Sequence, residues 1–595
     1  MTTSAPPRRP VRIANCSGFY GDRLSAMAEV LRGGDVDVIT GDYLAEVTML
    51  VLAKNRLKDP SSGYARTFLT QIDPLLEEIA ARSVKIVVNA GGLNPAGLAA
   101  TVRDLCAKRQ VMLNVAHVEG DDVLDRLDDL QAAGHRLEHL DTGKPLTDWG
   151  TPPLTANAYL GAWGIVAALK AGADIVICPR VTDASVIVGP AIWWHDWAMD
   201  DWDRLAGAVV AGHIIECGTQ ATGGNYSGFA KIPDMIRPGF PLAEIDADGS
   251  CVITKHAGTG GAVTTGTVTA QLLYEIQGLD YLNPDVTVQL DTIRLEDCDD
   301  NCVRVIGTRG APPPATTKVA MTALGGFENS MMFVLTGLDR DKKAKLVEDG
   351  FRALLQGASI DELRFDHIGG LSEASGDQLG VTSLLRVSVK GAEHAVGRAF
   401  FDASVELGLA SYPGLFSLRT GSRAANAYGV YWPGMLPQSV LEHEAVLADG
   451  TRIAAPQPPA TSLPREPVAK TPSDAVFGAT RAAALGELFD ARSGDKGGNA
   501  NVGLWARDDA GYRWLEAELT PDVIRELLPE TRELIIERHD LPNLRAVNFV
   551  VRGLLGGGAT ETLRFDSQAK ALGEYVRSKV VELPVALLSR NAATL

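Results

Sequence analysis

No apolar run in the sequence approaches the roughly 20 residues that a membrane-spanning helix needs, and the N-terminus, "MTTSAPPRRPVRI", passes from a polar, proline-bearing tail straight into a strand-like segment with no signal-peptide core. These absences predict a cytoplasmic chain with no membrane partner. Basic charge is scarce as well: 56 Lys and Arg stand against 74 Asp and Glu, for a formal net charge of −18. Such a surface repels polyanions, which excludes nucleic acid over most of it and leaves only a local basic pocket for a small anion. Cysteine is sparse, seven in 595 residues. Its scatter through apolar segments reads as reduced, partly buried thiols and not as a disulfide framework. Only Cys298 and Cys302 lie close together, in "CDDNC", which reads as a solvated hairpin tip. A zinc site needs four ligands, and no second Cys or His pair stands nearby in sequence, so no metal is expected.

Familiar nucleotide and hydrolase motifs are also missing. The first loop, "NCSGFYGDR", lacks the Gly-x-Gly-x-x-Gly spacing, no Gly-x-x-x-x-Gly-Lys-Ser/Thr run occurs, and no Gly-x-Ser-x-Gly elbow is present. No nicotinamide, flavin or other cofactor is therefore firmly implied. "HRLEH", 135–139, matches a zinc-peptidase pattern at three positions, but no third ligand follows it on a helix.

What is there is a large α/β pattern. The length exceeds what one hydrophobic core supports, so several domains are expected. From 11 to 200, short β-branched runs ("VRIANC", "VDVIT", "VKIVVNA", "VMLNVAHV", "DIVICPR") alternate with helical patterns at 22–33, 43–57, 66–82, 95–109 and 156–171. Continuous apolar strands between helices predict a doubly wound, mostly parallel sheet covered on both faces. Residues 201–455 read as a second, less regular α/β region, with strand-then-helix units at 330–356 and 382–408. A proline-rich linker is expected at 456–478, and 479–595 reads as a small α+β domain.

In an open parallel sheet, ligands bind beyond the carboxyl ends of the strands, and here those ends are polar. The first strand runs into Asn15, Ser17 and Gly18, and the second into Asp42. The third leads to Asn89, Gly91, Gly92 and Asn94, the fourth to Glu119, and the fifth to Arg180 and Asp183. Taken singly, residues such as Asp22, Asn94 and Asp122 also suit helix caps. Taken together they predict a polar cleft, and the strand-loop-helix geometry offers backbone N–H groups to an anion. Further along, "GHIIECGTQATGGN" carries His213 and Glu216, "ITKHAGTGGAVT" carries Lys255 and Gly258, and "DARSGDKGGNAN" carries Arg492, Asp495 and Lys496, each beside glycines that permit close approach to a ligand. Asp183, Glu216 and His213 are the candidate proton carriers, and the others are candidate ligand contacts.

Several of these blocks, "RIANCSGFYGDR", "VNAGGLNPAG", "ADIVICPRVTDAS", "GHIIECGTQATGGN", "ITKHAGTGGAVT" and "PPPATTKVA", resemble the acyclic terpene utilisation AtuA family in the right order. "ARSGDKGGNANVGLWAR" and "NFVVRGLLGGGATETLR" are similar to that family's small ferredoxin-fold domain. The resemblance implies a role in breaking down citronellol- and geraniol-type terpenes, where intermediates are coenzyme A thioesters and acyl-CoA carboxylases act. It gives two expectations. The first is an enzyme of hydratase, lyase or isomerase type acting on an acyl-CoA or related small anionic carboxylate. The second is a non-catalytic accessory or scaffold subunit for an acyl-CoA carboxylase. A homo-oligomer is expected on general grounds for a large α/β protein.

Overall fold

The computed structural model describes residues 8–369, 377–419, 421–465 and 477–592. The chain forms two compact units, one of Met1–Thr322, Trp432–Gly556 and Gln568–Leu595, the other of Ala323–Tyr431 and Gly557–Ser567. The expected linker at 456–478 falls partly outside the described residues.

Five central strands of the first unit are parallel, in the order β1 (Val11–Asn15), β2 (Val38–Gly41), β3 (Lys85–Val88), then Ile175–Ile177, then β4 (Val115–Glu119). Their alternate side chains enter two different cores. Val11, Ile13, Val38, Val87 and Val176 join one, while Ala14, Ile39, Ile86, Val88, Ile175 and Ile177 join the other. Burial on both faces is why these strands read as unbroken apolar runs. The second core is closed by α1 (Ala26–Gly33), α3 (Arg66–Ile72), α4 (Leu76–Arg82) and α5 (Pro95–Arg109), with α2 (Glu46–Lys58) preceding α3.

The doubly wound parallel pattern holds only for those five strands. Antiparallel strands extend the sheet on both sides to 11 in all: Pro241–Ile245, Cys251–Lys255, Cys302–Ile306 and Arg294–Asp299 beyond β1, and Glu444–Val446 and Arg452–Ala454 beyond β4. The helix expected over 156–171 is shorter, Trp163–Lys170, because Thr155–Ala158 forms a strand paired antiparallel to Val319–Thr322. Ala156 and Ala158 face the core there, and alanine's strong helix propensity hides the two-residue period.

The tip "CDDNC" carries a second correction. Strands Arg294–Asp299 and Cys302–Ile306 pair as a hairpin that brings the Cα atoms of Cys298 and Cys302 to 5.4 Å, within disulfide range, and the two are bonded. The other five cysteines are free thiols.

The helix Ser185–His195 is apolar all round, with every residue from Ser185 to Ile192 buried, because it sits between the sheet and its neighbouring helices. The next helix, Trp202–Ile215, delivers His213 and Glu216 at its C-terminal end. The C-terminal segment builds a four-stranded antiparallel sheet in the order Phe489–Lys496, Asn499–Ala506, Ala546–Val551, Ile536–Leu541, backed by helices including Asp509–Glu518 and Leu572–Arg577. In the second unit, the part of the strand Thr316–Thr336 that follows Thr322, and the strand Thr382–Gly391 paired with it, lead to helices Arg340–Leu354 and Phe400–Ala410 over a core containing Phe333, Phe351 and Phe400. No helix among the described residues is long and apolar enough to cross a membrane.

Candidate functional site

Beyond the carboxyl ends of the parallel strands, Asn15 donates to the carbonyls of Ser17 (2.9 Å), Ile215 (2.9 Å) and Glu216 (2.7 Å). It thereby ties the end of β1 to the end of the helix that bears Glu216. Gly18 packs so closely on the Cys217 backbone that a Cβ would lie 2.4 Å from its carbonyl carbon, so only glycine fits. Asn89 accepts from the Tyr43 N–H at 2.7 Å and donates to Asp42, which also accepts from the Leu44 N–H at 3.1 Å. Arg180, buried at the end of Ile175–Ile177, donates to the Leu44 carbonyl (2.9 Å), lies 4.4 Å from the Tyr159 ring centroid and reaches Asp183 Oδ1 at 3.0 Å. That last contact is a charge pair and not an aligned hydrogen bond, since Asp183 Oδ1 has no hydrogen-bond partner.

His213 Nδ1 lies 3.5 Å from Glu216 Oε1, both side chains are buried, and neither ring nitrogen nor Glu216 Oε2 makes an aligned hydrogen bond. Burial, with the charges of Asp183 and Glu275 adding to it, raises the Glu216 carboxyl well above the usual range, against the pull of Lys496 and Arg180. Its place at a helix C-terminus disfavours the anion further. Burial, then Asp183, likewise raises Asp42. Burial together with Lys496 lowers His213 to about 4, so its ring is neutral at pH 7.

Segments distant in sequence close the cluster. Glu46, in the first turn of α2, pairs with Lys318 at 2.9 Å. Burial opposes its ionisation, but Lys318, Lys496 and Arg180 outweigh it and hold the carboxyl far below its usual range. Lys496, at the tip of the C-terminal domain's hairpin, lies 3.7 Å from Glu275. Tyr281 lies against His213, the ring centroids 5.0 Å apart. The side chains of Lys496, Glu275, Glu46, Asp183 and Lys318 keep 32, 27, 27, 23 and 21 % exposure although charged groups from several elements surround them. Asp495, pushed up by burial and by Glu275 to about 6, faces Lys570 at 3.5 Å. Arg492 lies 4.2 Å from the Tyr274 ring centroid and donates to the Asn225 carbonyl and to Gln220.

Other expected contacts are engaged elsewhere. Asn94 caps α5 by accepting from the Gly97 N–H at 2.9 Å. Gly91 donates its N–H to the Cys178 carbonyl, and Gly92 turns the chain at φ +51°. Ser17 donates its hydroxyl to the Phe19 carbonyl. Glu119 pairs with His117 and Arg452, and Lys255 donates to the Thr259 carbonyl across the loop that holds exposed Gly258. Among the described residues no group of three or more His, Cys, Asp or Glu side chains is placed to hold a metal ion.

The sequence alone does not single out Glu46, Glu275, Tyr281 or the lysine of "PPPATTKVA", Lys318, as site residues. Each is one polar residue on a segment whose partners lie far away in the chain.

The family model described as acyclic terpene utilisation family protein AtuA matches residues 11–447. The chain belongs to the AtuA family. The model of the AtuA ferredoxin-like domain matches residues 483–582, the segment whose hairpin bears Lys496. No curated protein and no solved structure matches the chain. AtuA membership places it in acyclic terpene utilisation, and within the AtuA match lie Asp42, Arg180, Asp183, His213 and Glu216.

Proposed function

We propose that this AtuA protein is an enzyme that moves a proton on a branched acyl-CoA thioester or related carboxylate, in chemistry of the hydratase, lyase or isomerase type. One observation carries the reading: two buried proton carriers without aligned hydrogen bonds, Glu216 and His213, stand beside an ion-paired carboxylate, Asp183, at the sheet edge where α/β proteins bind ligands. A carboxyl kept protonated at neutral pH donates a proton, and a carboxylate beside it accepts one. Glu216 is the acid. Asp183, oriented by Arg180, is the base, and the neutral His213 ring adds no competing positive charge.

The test is turnover of a panel of branched, unsaturated acyl-CoA thioesters and their free acids by the purified chain. Glu216→Gln keeps the shape and removes the proton, and is expected to lower kcat by about 100-fold or more. Failure of the wild type to convert any member, or full activity in Glu216→Gln, contradicts the reading. An accessory subunit for an acyl-CoA carboxylase needs no proton carrier, so it keeps its role in the same variant.

A further inference from the structure

The C-terminal domain is built against the cluster. Its strands Phe489–Lys496 and Asn499–Ala506 pair down to Lys496 and Asn499, leaving a two-glycine turn, Gly497 and Gly498, with Gly497 at φ +60°. Two buried asparagines of this sheet grip the segment that follows the helix Thr265–Leu272. Asn501 donates to the Leu273 carbonyl (2.7 Å) and accepts from the Glu275 N–H (2.9 Å), while Asn548 donates to the Ile276 carbonyl (3.2 Å). Asn501 also donates to Asn548 at 2.8 Å. The approach is close: a Cβ on Gly494 would meet the Tyr274 ring at 2.5 Å, and one on Gly503 would meet Leu273 at 2.9 Å. Since Asn501 fixes the backbone of Glu275, it also fixes what faces Lys496.

Lys318 is held by a short hydrogen bond, at 2.9 Å from Glu46. Lys496 is not. Its ammonium stands 3.7 Å from Glu275 Oε2, donates no hydrogen bond to any described residue, and keeps a third of its side chain accessible. Around it lie Glu46, Lys318 and Tyr281, and its charge also reaches His213 and Glu216. Glu275 keeps it charged without occupying its three donors.

We infer that Lys496, supplied by the C-terminal domain, is the cation that holds the substrate's acyl oxygen opposite Glu216, so that neither domain alone contains a complete site. This rests on the acyl-directed reading above and names what holds its ligand. Thioester carbonyl and free carboxylate share the oxygen that an ammonium grips. A carboxylate held in the ground state raises KM when the grip is lost, whereas an oxyanion that develops during reaction lowers kcat.

The test uses the full chain with Lys496→Met and Lys496→Arg. On any compound the wild type converts, Lys496→Met is expected to lose about 100-fold in kcat/KM, with part of the loss recovered in Lys496→Arg. Independently of substrate, the His213 ring, assigned in spectra by its loss in His213→Asn, is expected to titrate higher by roughly half a unit or more in Lys496→Met, because a neighbouring positive charge is gone. Wild-type turnover in Lys496→Met overturns the role, and an unmoved His213 overturns the placement. A wild type that converts nothing overturns the acyl reading and the ligand named here, while the His213 titration still decides whether Lys496 belongs to the cluster.

Discussion

At the scale of single residues, burial raises the Glu216 and Asp42 carboxyls above their usual range because water cannot solvate their charge. Asp121, which accepts from the Arg180 N–H in the same row of strand ends, gives the clearest measurable consequence. Burial, reinforced by the charge of Asp122, pushes it up to about 7, although it accepts from Asn157 (2.7 Å) and from the Arg180 N–H (3.2 Å). Between the ordinary carboxylate range and about pH 7 the folded chain keeps a proton that the unfolded chain has released, so its contribution to stability falls as the pH rises through that window. Asp121→Asn retains an oxygen to accept both N–H groups and removes the titration. Its melting midpoint is expected to fall less between pH 5 and pH 8 than that of the wild type, by an amount equivalent to on the order of 3 kcal/mol. Equal slopes in the two proteins would show that Asp121 does not titrate there. Asn15, Asp42, Arg180 and Asp183 were legible in the sequence because each lies at, or within six residues beyond, the end of an apolar strand. His213 and Glu216 stood out beside glycines. Glu46, Glu275 and Lys318 were not legible, since what makes them special is the opposite charge each one faces, and that partner is set by tertiary packing.

At the scale of elements, the contact between the C-terminal sheet and residues 273–276 is polar and buried, so its loss is costly. Asn501→Ala leaves the Leu273 carbonyl and the Glu275 N–H without their partner. Each unpaired buried group costs about 1–3 kcal/mol, and the variant is expected to unfold at clearly lower urea concentration and to lose turnover by displacing Glu275 from Lys496. A stable variant with normal turnover would mean that these hydrogen bonds neither hold the segment nor set the site. The Cys298–Cys302 disulfide closes a much shorter loop, with a sequence separation of 4. A paired Cys298→Ser, Cys302→Ser change is therefore expected to cost no more than about 2 kcal/mol in a denaturation series. The elements that misled sequence reading share a cause. Thr155–Ala158 is a strand because Val319–Thr322 pairs with it, and the antiparallel flanks of the sheet come from segments far along the chain. Local propensity carries no record of either partner.

At the scale of the whole molecule, the five parallel strands were readable because burial on both faces writes unbroken apolar runs, and the candidate site was sought at their carboxyl ends. Lys496 was named from its glycine turn, but what it faces was not readable, because the pairing of Asn501 with Leu273 and Glu275 crosses more than 200 residues of sequence. The central claim is that the groups gathered at those strand ends move a proton on an acyl substrate. Run in deuterium oxide, hydration of a conjugated enoyl thioester and carbon–carbon cleavage that passes through an enolate put a solvent deuteron on the carbon next to the acyl group. An isomerisation that exchanges its proton with solvent puts it there or on the far carbon of the shifted double bond. Mass spectrometry of a branched acyl-CoA panel incubated with the full chain in deuterium oxide is expected to find that label with the wild type, and to find it slowed by about 100-fold or more in Asp183→Asn and Glu216→Gln. No label in any compound, or the same label from both variants, would contradict the account.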